Sequence, residues 1–111
     1  MGALAFTTLQ GAFREANRAF LALTGRTREE ILDMTYQSLT QAEYRARNAD
    51  VVDQLVRTGR PVEFDKEYIV KDGARINVSI RLFWFRGSDG KQIGIGSIVK
   101  PSAKNIGQPQ E

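Results

Sequence analysis

The sequence contains neither cysteine nor histidine. Without cysteine there is no disulfide, no thiolate nucleophile and no cysteine-based zinc site. Without histidine the chain lacks the commonest acid–base side chain near neutral pH and the usual protein ligand of haem iron. We therefore expect no metal site and no catalytic activity.

Long apolar runs are also missing, since no segment approaches the roughly 18 apolar residues that suggest a membrane-spanning helix. The N-terminal MGALAF is too short for the apolar core of a signal peptide and has no basic residue ahead of it. These features predict a cytoplasmic chain with no membrane contact of its own. A length of 111 residues leaves room for one domain with one core.

Charge is not concentrated anywhere along the chain. The 16 basic residues are interleaved with 13 acidic ones, so the net charge of +3 does not form a basic stripe. We therefore expect no nucleic-acid partner. Arg81, Phe83, Phe85 and Arg86 leave one alternative open, an aromatic and basic sheet surface for single-stranded nucleic acid.

The N-terminal part of the sequence predicts two short strands and then a helix. Strands are expected over residues 4–9 and 12–16, with a turn at Gln10-Gly11 between them. The spacing then becomes helical, with Asn17 at the N-cap position and Gly25 at the left-handed C-cap position.

A second helix begins at Thr27, because Thr27 and Glu30 match the capping box. The sequence then predicts a break over residues 35–40. An amphipathic helix follows over residues 42–58 and is ended by Gly59.

Three strands are predicted over residues 62–70, 75–86 and 92–99, and they should form an antiparallel meander. The turn sequences KDG and GSDGK separate them. Residues 101–111 contain two prolines and almost no apolar side chains, which predicts a linker or frayed end after a domain over residues 1–100.

The register of the first hairpin is constrained by which side chains can be buried. A two-residue turn at Asp72-Gly73 would bury carboxylates, so we predict one extra loop residue, with Gly73 left-handed in a bulge. This register places Phe64 opposite Leu82 and faces Asp65 with Arg81. It also puts Lys66 on the buried face, where the side chain must snorkel to water or find a partner.

In the second hairpin we predict that Trp84 pairs with Ile93. Phe83 then lies across from Gly94, and the glycine opens a shallow trough on the outer face of the sheet. Phe83 and Phe85 should have no partner inside the domain, so this face is expected to dock a flanking helix or a second copy of the chain. The interface candidates are Arg81, Phe83, Phe85, Gly94 and Ile98. The alternative is that N-terminal residues fold over the two phenylalanines.

The strand face with Glu63, Asp65 and Glu67 is the one cluster that resembles paired catalytic carboxylates. We interpret it as a solvated face balanced by Arg81, because nothing in the sequence indicates a desolvated cleft. An enzymatic alternative, a small cone-shaped isomerase-like fold, would need one of these carboxylates to point inward.

The order of these elements, with several segments, resembles the PAS family of bacterial signalling proteins. The segments are GAFREANRAFLALTG, TREEIL, FDKEYIVKDGARINVSIRLF and DGKQIGIGSIVK. The resemblance implies an α+β architecture, in which helices pack on one face of a five-stranded antiparallel sheet around a small cavity. It also implies a role in sensing or dimerisation for an attached or partner output domain, such as a histidine kinase, a diguanylate cyclase or a transcription regulator.

The resemblance further implies a ligand cavity between the inner sheet face and the helices. The flavin-photochemistry branch of the family needs a cysteine and the usual haem branch a histidine, so non-covalent flavin, a fatty or aromatic molecule, or an organic acid remain open. The residues expected to line the cavity, or to be plain core, are Tyr36, Leu39, Val52, Leu55, Phe64, Tyr68, Ile80, Leu82 and Ile95.

One departure from the family concerns the end of the last strand. Family members usually place aspartate, isoleucine and threonine there to couple the sheet to the next helix. Pro101, Ser102 and Ala103 stand at the matching positions here. The usual transmission contact is therefore not expected in this form.

Overall fold

The computed structural model of the chain describes residues 2–86 and 92–102. Within these ranges the chain forms five strands, four α-helices and one turn of 3₁₀-helix. In chain order the elements are β1 Ala3–Thr7, β2 Phe13–Ala16, α1 Arg18–Thr24, α2 Arg28–Leu32, α3 Tyr36–Leu39, a 3₁₀ turn Ala42–Tyr44, α4 Arg45–Thr58, β3 Val62–Ile69, β4 Arg75–Arg86 and β5 Gln92–Pro101.

The five strands form one antiparallel sheet in the order β2-β1-β5-β4-β3. The helices cover one face of this sheet, and the core lies between the two layers. Fully buried side chains come from both layers, for example Phe20 and Leu55 from the helices and Val78 and Ile80 from the sheet. The predicted α+β fold with helices on one face is confirmed.

Local capping signals in the sequence fold as predicted. The Asn17 Oδ1 accepts from the amide of Phe20 at 3.0 Å and from the amide of Leu4 at 3.0 Å, so the cap also attaches α1 to β1. Gly25 ends α1 in the left-handed conformation at φ +72°. Thr27 and Glu30 form the complete capping box at the start of α2.

The predicted break over residues 35–40 is wrong, because it contains the short helix α3. Thr35 caps this helix through its hydroxyl, which accepts from the amide of Ser38. Single bridges attach its two ends to the sheet region, one from Thr35 to Ala12 and one from Thr40 to Tyr68. A four-residue helix held by such long-range contacts has no periodic signal of its own.

In the first hairpin the predicted register is shifted by two residues. Phe64 pairs with Ile80, and Lys66 pairs with Val78. The loop consists of residues 71–73, because the Gly73 amide donates to the Val70 carbonyl and the Val70 amide donates to the Ala74 carbonyl, both at 2.9 Å. Gly73 is left-handed as predicted, at φ +91°. A shift of two keeps every side chain on its predicted face.

The second hairpin is also shifted by two residues from the prediction. Trp84 pairs with Ile95 rather than Ile93, and the pairing becomes irregular between Phe85 and Arg86. A shift of two residues keeps every side chain of the strand on its predicted face, so the alternating pattern cannot detect it. Strand β5 extends to Pro101, and the amide of the buried Ser102 donates to the Asn77 carbonyl at 2.9 Å. Pro101 and Ser102, which the sequence assigned to a linker, therefore contact the domain, and residues 103–111 lie outside the described ranges.

The turn at Gly73 provides a test of this hairpin. No atom lies within 4 Å of a Cβ built on Gly73, so a side chain there meets only the strain of a positive φ. We expect Gly73→Ala to lower the free energy of unfolding by about 1 kcal/mol, and Gly73→Asn to lower it by less, because asparagine tolerates the left-handed region. Urea denaturation measures both variants. Equal losses, or no loss in either variant, would contradict the turn conformation.

Candidate functional site

The most unusual side chain of the interior is Lys66 on β3. It alternates with Phe64 and Tyr68, so its side chain enters the space between the sheet and the helices. Only 3% of its surface is exposed, which is rare for lysine. Among the described residues it is the only charged one that is buried.

The Lys66 ammonium is held by two oxygens from the layer above the sheet. Its Nζ donates to the Thr40 Oγ1 at 2.7 Å and to the Asn48 Oδ1. The Thr40 hydroxyl donates onward to the Tyr36 carbonyl at 2.7 Å, so it accepts from the lysine. The partner that the sequence required for Lys66 is therefore a pair of neutral oxygens inside the domain, and the side chain does not snorkel.

Aromatic rings complete the surroundings of this ammonium. The Nζ lies 5.4 Å from the ring centroid of Tyr36, 5.7 Å from that of Phe64 and 5.1 Å from that of Tyr68. Such rings attract a cation through their quadrupoles. No described carboxylate forms an ion pair with Lys66, so neutral dipoles and ring faces alone balance its charge.

Burial shifts the ionisation of this cluster. Because desolvation penalises the charged form, the pKa of Lys66 is lowered from 10.5 to about 7. Burial also raises the pKa of Tyr68 and of Tyr36. The two phenols thus stay neutral near pH 7, whereas Lys66 is close to the point where it loses its proton.

A cavity of about 20 Å³ adjoins this cluster. Six of the nine predicted lining residues line it, and Leu39, Leu55 and Phe64 belong to the core instead. The sequence missed five lining residues, Thr7, Phe13, Asn48, Lys66 and Ser97. The inward position of Asn48 could have been predicted from the sequence. It precedes the apolar Val51 and Val52 by three and four positions and so shares their helix face.

The acidic residues of β3 point away from this cavity. Glu63 accepts from Arg81 at 2.8 Å, Asp65 accepts from the Ser79 hydroxyl at 2.7 Å, and Glu67 lies 3.7 Å from Arg75. None of the three lines the cavity. The geometry that the isomerase-like alternative required, an inward carboxylate, is not found at these positions.

The expectation that Phe83 and Phe85 lack a partner is wrong. Phe6 of β1 lies against both, with ring centroids 4.3 Å from Phe85 and 6.3 Å from Phe83, and all three rings are half-buried. N-terminal residues thus cover the two phenylalanines, as the alternative predicted. Strand β1 reaches them because it pairs with β5 in the middle of the sheet.

The predicted glycine trough is closed as well. Phe83 lies across from Gly96 rather than Gly94, and a Cβ built on Gly96 would come within 2.3 Å of the Phe83 ring. The ring therefore fills the space above the glycine. Gly94 pairs with Phe85 and is buried.

The other interface candidates keep more of their surface. Ile98 pairs with Arg81 across the strands and is 44% exposed, and Arg81 is exposed while it binds Glu63. Both contribute to an open groove of about 760 Å³ along β3, β4 and β5. Much of its lining is charged or polar, including Arg47, Glu63, Asp65 and Lys100.

Two classes of feature are not found in the part of the chain that the structure describes. Residues 2–86 and 92–102 hold no group of three histidine, cysteine, aspartate or glutamate side chains placed to bind a metal ion. Over the same ranges, none of the helices has the length and hydropathy of a transmembrane span.

Comparisons with known proteins agree with this architecture. The family model described as PAS domain matches residues 2–100. The PAS domain of a protein from Colwellia psychrerythraea superposes with a TM-score of 0.82 at 19% identity, covering 92% of this chain and 86% of that chain. A domain of a sensory box sensor histidine kinase/response regulator from Geobacter sulfurreducens gives 0.73 at 19% identity, covering 89% and 82%.

The PAS-B domain of Cycle from Drosophila melanogaster, solved with bound ethylene glycol, gives a TM-score of 0.81 at 15% identity and covers 90% of this chain and 99% of that chain. No protein of curated function matches the sequence. Because the family model spans nearly the whole chain, the chain belongs to the PAS domain family, whose members are sensory modules of histidine kinases and other signalling proteins.

The ionisation of Lys66 gives a test of the polar cluster. Between pH 7 and 10.5 the unfolded chain holds a proton that folded Lys66 has lost, so stability rises with pH in this window. From about pH 7 to 9 we expect this residue to add roughly 2 kcal/mol to the free energy of unfolding.

Denaturant titrations across this pH range measure the effect against two variants. Lys66→Met should lose the rise, whereas Lys100→Met, at an exposed position of β5, should keep it. If the free energy of unfolding of Lys66→Met followed the same pH dependence as that of the wild type, Lys66 would not lose its proton between pH 7 and 9.

Proposed function

We propose that this PAS domain is a cytoplasmic signal-sensing module that binds a small ligand in its interior beside Lys66. The observation that carries the proposal is a buried ammonium without an ionic partner next to a cavity. Replacing buried charges with well-packed apolar side chains is often neutral or stabilising. A buried lysine is therefore not expected to make the domain more stable than an apolar residue would. Recognition of a ligand is a function that does require its charge and N–H donors.

The layout of the cluster supports transmission of the signal. Lys66 belongs to β3, Asn48 to α4, and Thr7 and Ser97 bring β1 and β5 to the same cavity. A ligand that bound one packing of these elements better than another would shift the equilibrium between them. The strands carry that change to the outer face of the sheet, where a histidine kinase, diguanylate cyclase or transcription regulator, attached or in a partner chain, would respond.

Relatives support ligand binding and an attached output domain. The Cycle PAS-B domain is solved with bound ethylene glycol, and its W398A variant with bound glycerol. The Geobacter sulfurreducens domain comes from a sensor histidine kinase/response regulator. Both properties come to this chain as part of the proposal.

A second candidate function is a ligand-free dimerisation scaffold. The small cavity favours it, because about 20 Å³ holds only one or two water molecules. In this case the outer face of the sheet would bind a second copy of the chain. The contact would use the exposed Ile98 and the half-buried rings of Phe6, Phe83 and Phe85.

Amide NMR of the ¹⁵N-labelled chain distinguishes these functions when the protein is titrated with neutral molecules, carboxylic acids and inorganic anions of increasing size. The sensory proposal expects at least one compound to shift the amides of Thr40 and Asn48 and also the amide of Ile98 on the outer face. Lys66→Met should lose these shifts. If no compound moves any interior amide, the sensory proposal fails and the scaffold is favoured.

The outer face is tested by charge substitution. Ile98→Asp should lower the dimer fraction in native mass spectrometry by about tenfold, as expected when a carboxylate is buried at an apolar contact. Leu32→Asp and Val56→Asp are matched controls, because these side chains are 41% and 46% exposed on α2 and α4. An unchanged dimer fraction in Ile98→Asp, or an equal loss in the controls, would place the contact elsewhere.

A further inference from the structure

Among the described residues, Lys66 is the only charged residue that is buried, and no carboxylate lines the cavity beside it. An ammonium has three N–H donors, and Lys66 uses two of them on Thr40 and Asn48. Where Lys66 lines the cavity, its charge has no counter-ion and its third N–H has no acceptor among the described residues.

Of the two side chains that accept from Lys66, Asn48 keeps hydrogen-bond donors of its own. Because an ammonium cannot accept a hydrogen bond, the Asn48 amide must turn its oxygen toward Lys66, which leaves its N–H groups to donate elsewhere. The Thr40 oxygen is already engaged as an acceptor for Lys66 while its proton goes to the Tyr36 carbonyl. Lys66 and Asn48 therefore both have N–H donors left for a further partner, which suits an anion.

The size of the cavity sets the size of that anion. A volume of about 20 Å³ holds one or two water molecules, which is the space of a single small ion. The apolar lining from Phe13, Val52, Ile80, Leu82 and Ile95 surrounds this space. A flavin, a haem or a dicarboxylate would require the core to repack.

We propose that the cavity beside Lys66 binds one small monovalent anion of about the size of chloride, with the ammonium and the Asn48 amide as its donors. The proposal rests on the proposed function, in which the interior holds the ligand, and it names the chemical class of that ligand. The anion neutralises the buried charge and fixes β3 to α4 across the cavity.

The lowered pKa of Lys66 gives this site a pH dependence. An anion pairs with the protonated amine only, so its binding must raise the pKa of Lys66 from about 7. The affinity therefore falls as the pH rises past 7. No described carboxylate lines the cavity, and the tyrosines facing Lys66 are Tyr36 and Tyr68, whose pKa values burial raises, so they stay neutral.

Thermal unfolding in sodium chloride, compared with sodium gluconate at equal ionic strength, tests the site, because gluconate is too large for the cavity. At about 0.5 M salt and about pH 6 we expect chloride to raise the midpoint by roughly 4 °C, and the difference to shrink at about pH 9. Lys66→Met should lose the difference and Lys100→Met should keep it. Equal midpoints in the two salts at the lower pH would overturn the proposal.

Bromide provides a direct readout that does not depend on a variant that folds. Crystals of the wild-type chain soaked in bromide should show an anomalous scattering peak beside Lys66 Nζ. A peak only at the surface, or a neutral molecule in the cavity, overturns the anion assignment. If the NMR titration finds another interior ligand while halides do nothing, the anion assignment fails and the sensory function stands; if nothing binds inside, both fail.

Discussion

The hydrogen bonds of the buried Lys66 ammonium connect the parts of the domain that the chain itself keeps apart. Lys66 is on β3, Thr40 follows α3, and Asn48 lies in α4. Because the ammonium only donates, both oxygens must face it, and this fixes the orientation of the Asn48 amide and of the Thr40 hydroxyl. These hydrogen bonds help to hold the helical layer over the sheet from inside the core.

The sheet inverts the usual distribution of side chains at two places. A lysine lies inside, while Phe6, Phe83 and Phe85 lie on the face away from the helices. Lysine is almost never fully buried without a partner, and large aromatic side chains are usually buried. Here the aromatic rings shield one another, and the lysine donates two of its three N–H groups to neutral oxygens. Both exceptions belong to one sheet but to its opposite faces, with Lys66 on β3 facing the helices and the three rings on β1 and β4 facing away from them.

The features that the sequence predicted well depend on residues close together in the chain. The caps at Asn17 and Thr27 and the left-handed Gly73 are of this kind. Strand faces were predicted because alternation has a period of two, and both register errors were shifts of two that this period cannot detect.

The features that the sequence did not predict depend on contacts between distant segments. The pairing of β1 with β5, which brings Phe6 over Phe85, and the bond from Asn48 to Lys66 both join parts of the chain that no periodicity relates.

The pairing of β1 with the central strand β5 also has a mechanical consequence. Ala3 at the start of β1 pairs with Val99 near the end of β5, so the two ends of the fold lie on adjacent strands, about 5 Å apart. A twist or pull applied at one of these ends would therefore be transmitted to the other through the paired strands β1 and β5. Any segments joined to these two ends would be coupled through the β1–β5 ladder, and loosening of the ladder would uncouple them.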